Sequence, residues 1–164
     1  MMERFWPSHA PADYQCPFCE LLSGSIDSPT NLCALTDLVW RGDAAAIIMA
    51  CDGFGPYGGH AMVIPTGHFE SLYDLPDDVA AATIRATRAA ALAMKLAWQP
   101  EGTSTRQHNE PSGNQHVWHY HQHVFPRYGD DMLYRQVRHR VPVAERARKA
   151  RELSRALEQL GFSG

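Results

Sequence analysis

Three histidines stand at strict two-residue spacing in this chain: His119, His121 and His123. They lie in a run of aromatic and β-branched residues that continues to Phe125, and such a run favours a β-strand. Because a strand places residues two apart on one face, we expect the three rings to point the same way. A surface strand with histidines on its polar face is the simple alternative. Crowded imidazoles are costly without a ligand, so the row favours a metal or a phosphorylated substrate.

Length and composition indicate a globular protein with one core. The chain has 164 residues, 45% of them hydrophobic, and we expect a single domain over residues 1–164 with a loose start at 1–14. That start lacks the features of a signal peptide, and no apolar stretch approaches the roughly 20 residues needed to cross a bilayer. A cytoplasmic protein without a membrane partner is therefore predicted.

The net charge of −3 argues against a chain-wide surface for nucleic acid. Residues 135–155 nevertheless carry eight lysines or arginines against Glu145 and Glu152. A solvated helix face explains this run, and attraction of a polyanionic substrate is the alternative.

Hydrophobic periodicity and turn residues predict the order of the elements. Strands are predicted at residues 32–38, 45–51, 60–65, 103–109 and 117–125, helical segments at 18–22, 76–98 and from 143 to 160, and a glycine-rich loop at 52–59. The longest helix begins with Pro76, followed by Asp77 and Asp78 where the helix dipole favours acids. Strands with few helices between them predict an antiparallel α+β fold. The last helix forms a C-terminal helical extension at residues 141–164.

The four cysteines fall into two groups. Cys16 and Cys19 have the two-residue gap that brings both sulfurs to one point on a tight turn, which suits a metal or a redox pair. No βαβ pattern follows them, which disfavours the redox interpretation. Cys33 and Cys51 lie in apolar runs and are predicted to be buried, inert thiols.

Several motifs occur in a fixed order from Cys16 to Arg127. They are Cys16-x-x-Cys19, Gly59-His60-x-x-Val63-Ile64-Pro65, His68 three residues further on, and Gln115 ahead of the histidine row. In these motifs the chain resembles the histidine triad family of nucleotidyl hydrolases and transferases. The resemblance implies a five-stranded antiparallel sheet with one long central helix, a nucleotide substrate and a homodimer.

The resemblance also implies a zinc ion bound by Cys16, Cys19, His68 and His119. Two thiolates and two imidazoles form a closed tetrahedral site with no position for water, which is a structural arrangement. This assignment uses the first histidine of the row as a ligand and leaves the other two for chemistry.

In the same way, the resemblance implies that His121 is the nucleophile. Its neutral ring would attack the α-phosphorus of a nucleotide and form a nucleotidyl-histidine that water hydrolyses. His123 and His60 match positions near the phosphates, where they would donate hydrogen bonds to oxygens that gain charge. A core histidine is the alternative for His60.

Four further residues match substrate-binding positions of the family. Gln115 and Asn109 correspond to residues on the phosphate side, and Asp52 to an acid that holds the ribose hydroxyls. A loop cap is the alternative for Asp52. Arg127 ends the motif as either a phosphate contact or a structural ion pair.

Two positions depart from the family pattern. Ala50 replaces an aromatic residue two positions before Asp52, so we expect a base pocket that differs from the family's and leaves the identity of the base open. His116 replaces a small hydroxyl residue expected beside the departing group, and we predict that it acts as a general acid, since imidazole titrates near neutral pH. A solvent-facing histidine on the loop is the alternative.

Three functions follow. The first is hydrolysis of nucleoside phosphoramidates or dinucleoside polyphosphates. The second is a nucleotidyltransferase or phosphorylase that uses the same intermediate, although the uridylyltransferase branch has glutamine where His123 stands. The third is a nucleotide-binding module with little catalysis.

Overall fold

The computed structural model describes residues 6–55 and 58–162. Its helices and strands are, in chain order, α1 (Pro17–Ser23), β1 (Leu38–Arg41), β2 (Ala45–Met49), β3 (Asp52–Phe54), β4 (Ala61–Pro65), α2 (Asp77–Trp98), β5 (Gly102–Gln107), β6 (Gln122–Arg127), β7 (Arg138–Arg140) and α3 (Val143–Gln159). Within these residues, no helix is both long and apolar enough to span a bilayer. The predicted loose start is described only from Trp6 onward, and residues 1–5 lie outside the described part.

Five strands form one antiparallel sheet in the order β1-β2-β4-β6-β5. The helices α2 and α3 cover one face of this sheet, and α1 packs against part of the other. The predicted α+β class, with its five-stranded antiparallel sheet, long central helix and C-terminal helix, is therefore confirmed. The face that carries α1 also carries the functional residues.

Helix α2 lies close to the sheet because its buried side chains are small. Ala86, Ala89, Ala90 and Ala93 are almost completely buried in the core between α2, α3 and the sheet. The N-terminal acids predicted from the sequence occupy its first turn. Small residues at the contact permit the close approach of the backbones.

The predicted strand at residues 32–38 is wrong. A 3₁₀ turn, Leu35–Asp37, stands there instead, and the first strand begins at Leu38. The carboxylate of Asp37 is fully buried, accepts a hydrogen bond from the Ala34 N–H at 2.7 Å, and pairs with Arg146 of α3 at 2.8 Å. A buried charge needs such partners, and the turn supplies the geometry that a strand could not.

The predicted loop at residues 52–59 is wrong at its start, since β3 pairs there with β7. Residues 56 and 57 of that loop lie outside the described part. The predicted histidine strand at 117–125 is also too long, because ladder pairing with β4 and β5 begins at Gln122. His119 and His121 therefore precede the strand, and only His123 belongs to it.

Candidate active site and metal centre

The four predicted zinc ligands lie together at one end of α1. Cys16 caps the helix, Cys19 lies in its first turn, His68 follows β4 and His119 precedes β6. One side-chain ligand atom from each residue lies within 4.8 Å of the others. The Sγ atom of Cys16 is 3.3 Å from Nδ1 of His119, and Sγ of Cys19 is 3.3 Å from Nδ1 of His68.

These distances fit a tetrahedral zinc ion. Zn–S bonds of about 2.3 Å and Zn–N bonds of about 2.0–2.1 Å place a sulfur and a nitrogen about 3.6 Å apart, and the Cys19 Sγ to His119 Nδ1 distance is 3.6 Å. The Nε2–H of His119 donates to the Pro65 carbonyl at 3.0 Å, which leaves the Nδ1 lone pair directed at the sulfurs. Such an outer hydrogen bond typically orients a metal-bound histidine. The group therefore resembles a zinc site.

The two cysteines interact through a hydrogen bond. The pKa of the Cys16 thiol is lowered, because Cys19 donates this hydrogen bond to it, and the same bond raises the pKa of the Cys19 thiol. A thiolate is the form that ligates zinc. With zinc bound, the site would link α1 to the segment after β4 and to the segment before β6, and would stabilise the fold.

His121 is buried at the floor of an adjacent cleft, and its tautomer is determined by the backbone. Its Nδ1 lies 2.8 Å from the carbonyl oxygen of His119. A carbonyl can only accept, so Nδ1 carries the hydrogen and Nε2 keeps its lone pair. Burial lowers the pKa of His121 to about 4, although the bond to the carbonyl acts against this shift. The ring is consequently neutral near pH 7, with a free nucleophilic nitrogen.

His60 and His123 form a second histidine pair beside His121. Nε2 of His60 lies 2.8 Å from Nδ1 of His123, and His60 stacks on Phe125 at 4.1 Å between centroids. Burial, followed by the charge of Arg106, lowers the pKa of His60 to about 3. Burial also lowers the pKa of His123.

The direction of this hydrogen bond follows from the other nitrogen of His60. Among the described residues, Nδ1 of His60 is buried without a partner. An orphaned N–H is costlier than an orphaned lone pair, so Nε2 of His60 is the donor. His123 then accepts at Nδ1 and keeps an Nε2–H that can donate to a ligand oxygen. His60 therefore contacts His123, and both rings line the same cleft.

The cleft that these histidines line has a volume of about 510 Å³, which is in the range of small-molecule sites. Phe18, Leu32, Met62 and Val117 contribute apolar surface to it. Polar and charged residues also line it: Asn31, Asp52, His60, Arg106, His108, Asn114, His116, His121, His123, Arg138 and Arg140. A single cleft therefore offers an apolar surface, several imidazoles and three permanent cations.

Two other predicted residues lie in this cleft. Asp52 lines it from β3 and pairs with Arg138 at 3.6 Å and Arg140 at 3.2 Å. His116 is exposed to solvent and also lines the cleft. Ala50, the second departure from the family pattern, also contributes to the lining.

Three predicted substrate-binding residues have their side chains bonded elsewhere. Gln115 is buried and donates to the Glu70 carbonyl at 2.6 Å. Asn109 accepts from the Leu72 N–H and exchanges hydrogen bonds with Gln107. Arg127 forms a bidentate ion pair with Asp131. None of the three is among the described residues that line the cleft.

The sequence analysis missed His108 and Arg106, which both line the cleft. Nδ1 of His108 lies 2.6 Å from the Gly113 carbonyl, so this ring also presents Nε2 as its free nitrogen. Alternation along the predicted strand at 103–109 could have found the two residues, since it places both on one face. The resemblance pointed instead to Asn109, the residue that follows His108.

Comparison with known proteins places the chain in a family. The family model described as the HIT domain matches residues 42–130. The protein hit of Bacillus subtilis is 31% identical over 114 residues, which are 70% of this chain and 72% of that protein. The chain therefore belongs to the HIT domain family.

Solved structures agree with this assignment. A Hit-like protein of Bartonella henselae superposes with a TM-score of 0.72 at 25% identity, over 89% of this chain and 99% of that one. A Zn-bound histidine triad family protein of Mycobacterium smegmatis gives a TM-score of 0.72 at 25% identity, over 89% and 95%. The resemblance seen in the sequence motifs is thus confirmed at the level of family and fold.

Proposed function

We propose that this protein is a nucleotidyl hydrolase that cleaves nucleotides at the α-phosphorus through a covalent intermediate on His121. The observation that carries the proposal is the 2.8 Å hydrogen bond from Nδ1 of His121 to the His119 carbonyl. It leaves Nε2 as a neutral nucleophile facing a cleft that holds two further histidines and fixed cations. Membership of the HIT family supports a nucleotide as the ligand.

In the first step, Nε2 of His121 forms a bond to the α-phosphorus, and the bond to the leaving group breaks. The ring of the intermediate becomes cationic, and the His119 carbonyl stabilises it because the Nδ1–H bond is then charge-assisted. The Nε2–H of His123 donates to a phosphate oxygen that gains charge, with His60 holding the ring in position.

His116 is the proposed proton donor to the leaving group. Its place in the cleft lining and its exposure to solvent suit a residue that exchanges protons with water. In the second step water attacks the phosphorus and gives a proton to His116, which is neutral after the first step, and the P–N bond to His121 breaks. The products are a nucleoside monophosphate, the protonated leaving group and neutral His121.

The other predicted residues have roles consistent with their positions. Asp52 would bind the ribose hydroxyls from the cleft wall. Gln115, Asn109 and Arg127 would support the loops around the site without touching the nucleotide. Zinc bound to Cys16, Cys19, His68 and His119 would be structural, since four protein ligands leave no position for water.

The test is an assay of purified protein with adenosine and guanosine phosphoramidates and dinucleoside polyphosphates, with products identified by mass. A hydrolase forms nucleoside monophosphate whether or not inorganic phosphate is present. A phosphorylase forms nucleoside diphosphate when phosphate is added, and that product would replace the proposal by the transferase alternative. Binding without turnover of any substrate would favour the nucleotide-binding module.

Two further parts of the proposal concern assembly and location. A homodimer is proposed because α2 leaves Ile84, Leu92 and Leu96 exposed and β5 lies at the edge of the sheet. A cytoplasmic location remains a prediction.

A further inference from the structure

Arg106 occupies a special place beside the reaction centre. It lies on β5 directly opposite His123 of β6, on the cleft face of the sheet. Its guanidinium carbon is 5.3 Å from the ring centroid of Phe125 and 4.7 Å from that of Tyr134. Stacking on aromatic rings orients a guanidinium but leaves its in-plane N–H groups available.

Arg106 also differs from the neighbouring arginines in its partners. Arg127 pairs with Asp131, and Arg138 and Arg140 pair with Asp52. Among the residues that the structure describes, Arg106 has neither a hydrogen-bond acceptor nor a carboxylate. Its charge reaches the histidine pair, since it helps to lower the pKa of both His60 and His123. An oriented cation without a counter-ion inside a cleft is suited to an anionic ligand.

The order of residues across the sheet shows which part of a nucleotide would meet this cation. Strands β2, β4, β6 and β5 are neighbours in that order; Asp52 stands in β3 just after β2, His60 precedes β4, His123 lies on β6 and Arg106 on β5. Given the proposed function, the ribose lies at Asp52 and the α-phosphate at the histidines. The leaving group then extends toward β5, on the side away from the ribose.

We propose that Arg106 binds a phosphate of the leaving group and selects phosphoric anhydrides, such as dinucleoside polyphosphates, over phosphoramidates. This inference rests on the proposed function of the cleft and narrows its substrate class. A bidentate contact between the guanidinium and a phosphate would strengthen the binding of a substrate that carries a second phosphate. A phosphoramidate has only an amine at that position and gains nothing from the cation.

The first experiment compares wild type with Arg106→Met, which removes the charge but keeps an unbranched side chain. The matched control is Arg151→Met, because Arg151 is exposed on α3. For a dinucleoside triphosphate, we expect Arg106→Met to lower kcat/KM by about 10- to 100-fold, the effect of losing a hydrogen bond to a charged group. For the phosphoramidate of the same nucleoside, we expect a change of less than about threefold, and the control should match wild type with both. Equal losses on the two substrates, or no loss, would overturn the inference.

The second experiment measures binding and does not depend on turnover. Calorimetry compares a nucleoside monophosphate with the α,β-methylene diphosphate of the same nucleoside, in the adenosine and guanosine series. Wild type should bind the diphosphate analogue about 10-fold or more tightly than the monophosphate, and Arg106→Met should bind both equally. If the preference is present but no substrate turns over, the hydrolase proposal fails and the role of Arg106 stands. If wild type shows no preference, the role of Arg106 is wrong whether or not the enzyme is active.

Discussion

His119 and His121 are joined by a hydrogen bond of 2.8 Å between the carbonyl of the first and Nδ1 of the second. The side chain of His119 belongs to the zinc group, while its backbone determines the tautomer of His121. The proposed metal centre and the proposed reaction centre therefore share one residue. Loss of zinc from the metal centre should therefore disorder the reaction centre.

Zinc binding is tested by Cys16→Ser. We expect the variant to lose its bound zinc, and to melt about 10 °C or more below wild type, because metal binding at such sites contributes directly to folding. Cys33→Ser is the matched control, since Cys33 lies outside the zinc group and should leave one zinc per chain. Metal analysis and calorimetric melting are the measurements. Wild-type protein without zinc, carrying a disulfide between Cys16 and Cys19, would contradict the assignment.

The sequence predicts the parts of the site that are built by residues close together in the chain, and not the parts that depend on distant residues. Cys16 and Cys19 are three positions apart at the start of α1, so their convergence is a local property. The pairing of β3 with β7 joins Asp52 to Arg140 across about half of the chain, and no local pattern carries that information. The glycines after Asp52 predicted an irregular loop and gave no indication of the short strand β3.

The histidine row shows that the alternation of side chains along a predicted strand does not by itself determine where each ring points. It predicts one face for all three rings, but the His119 ring turns to the cysteines, while His121 and His123 line the cleft. The segment before Gln122 is outside the ladder pairing, so the two-residue alternation of a strand does not apply to His119 and His121.

The pH dependence of stability follows from the buried pair of His60 and His123. Their pKa values are lowered in the folded protein, to about 3 for His60, and the ordinary value for histidine is about 6.5. The unfolded chain therefore binds more protons as the pH falls below about 6.5, and unfolding becomes more favourable. We expect Tm to decrease between pH 7.5 and 5.

The matched variant for that experiment is His60→Asn, which removes one of the buried titrating rings. Its Tm should depend less steeply on pH than that of wild type, even if it is lower throughout. A melting temperature that is flat or that rises over this range in wild type would show that the histidines are not held neutral by burial.

General acid catalysis is tested by His116→Ser. The variant should lose about 10²-fold in rate with a poor leaving group, such as an amine or alkoxide, and little with an activated phenol, because only the first needs a proton. His139→Ser is the control, since His139 is exposed on β7. Rates across the leaving-group series are the measurement. Equal rates for variant and wild type with every leaving group would establish His116 as a solvent-facing histidine.

The homodimer is tested by sedimentation at micromolar concentration. We expect a dimer for wild type and a monomer for Ile84→Glu, because a charge on this exposed apolar residue of α2 would have to be desolvated at the interface. Val143→Glu, at an exposed apolar position of α3, should remain dimeric. A stable wild-type monomer would overturn the dimer.

The covalent intermediate on His121 is the central claim, and rapid quenching with peptide mass spectrometry tests it most directly. Wild-type protein mixed with excess substrate and quenched within milliseconds should carry one nucleotidyl group, located on His121. His121→Ala should carry none and should lose turnover while binding the product nucleotide almost as well as wild type. Substrate turnover in wild type without any adduct, or with the adduct on a different residue, would contradict the account.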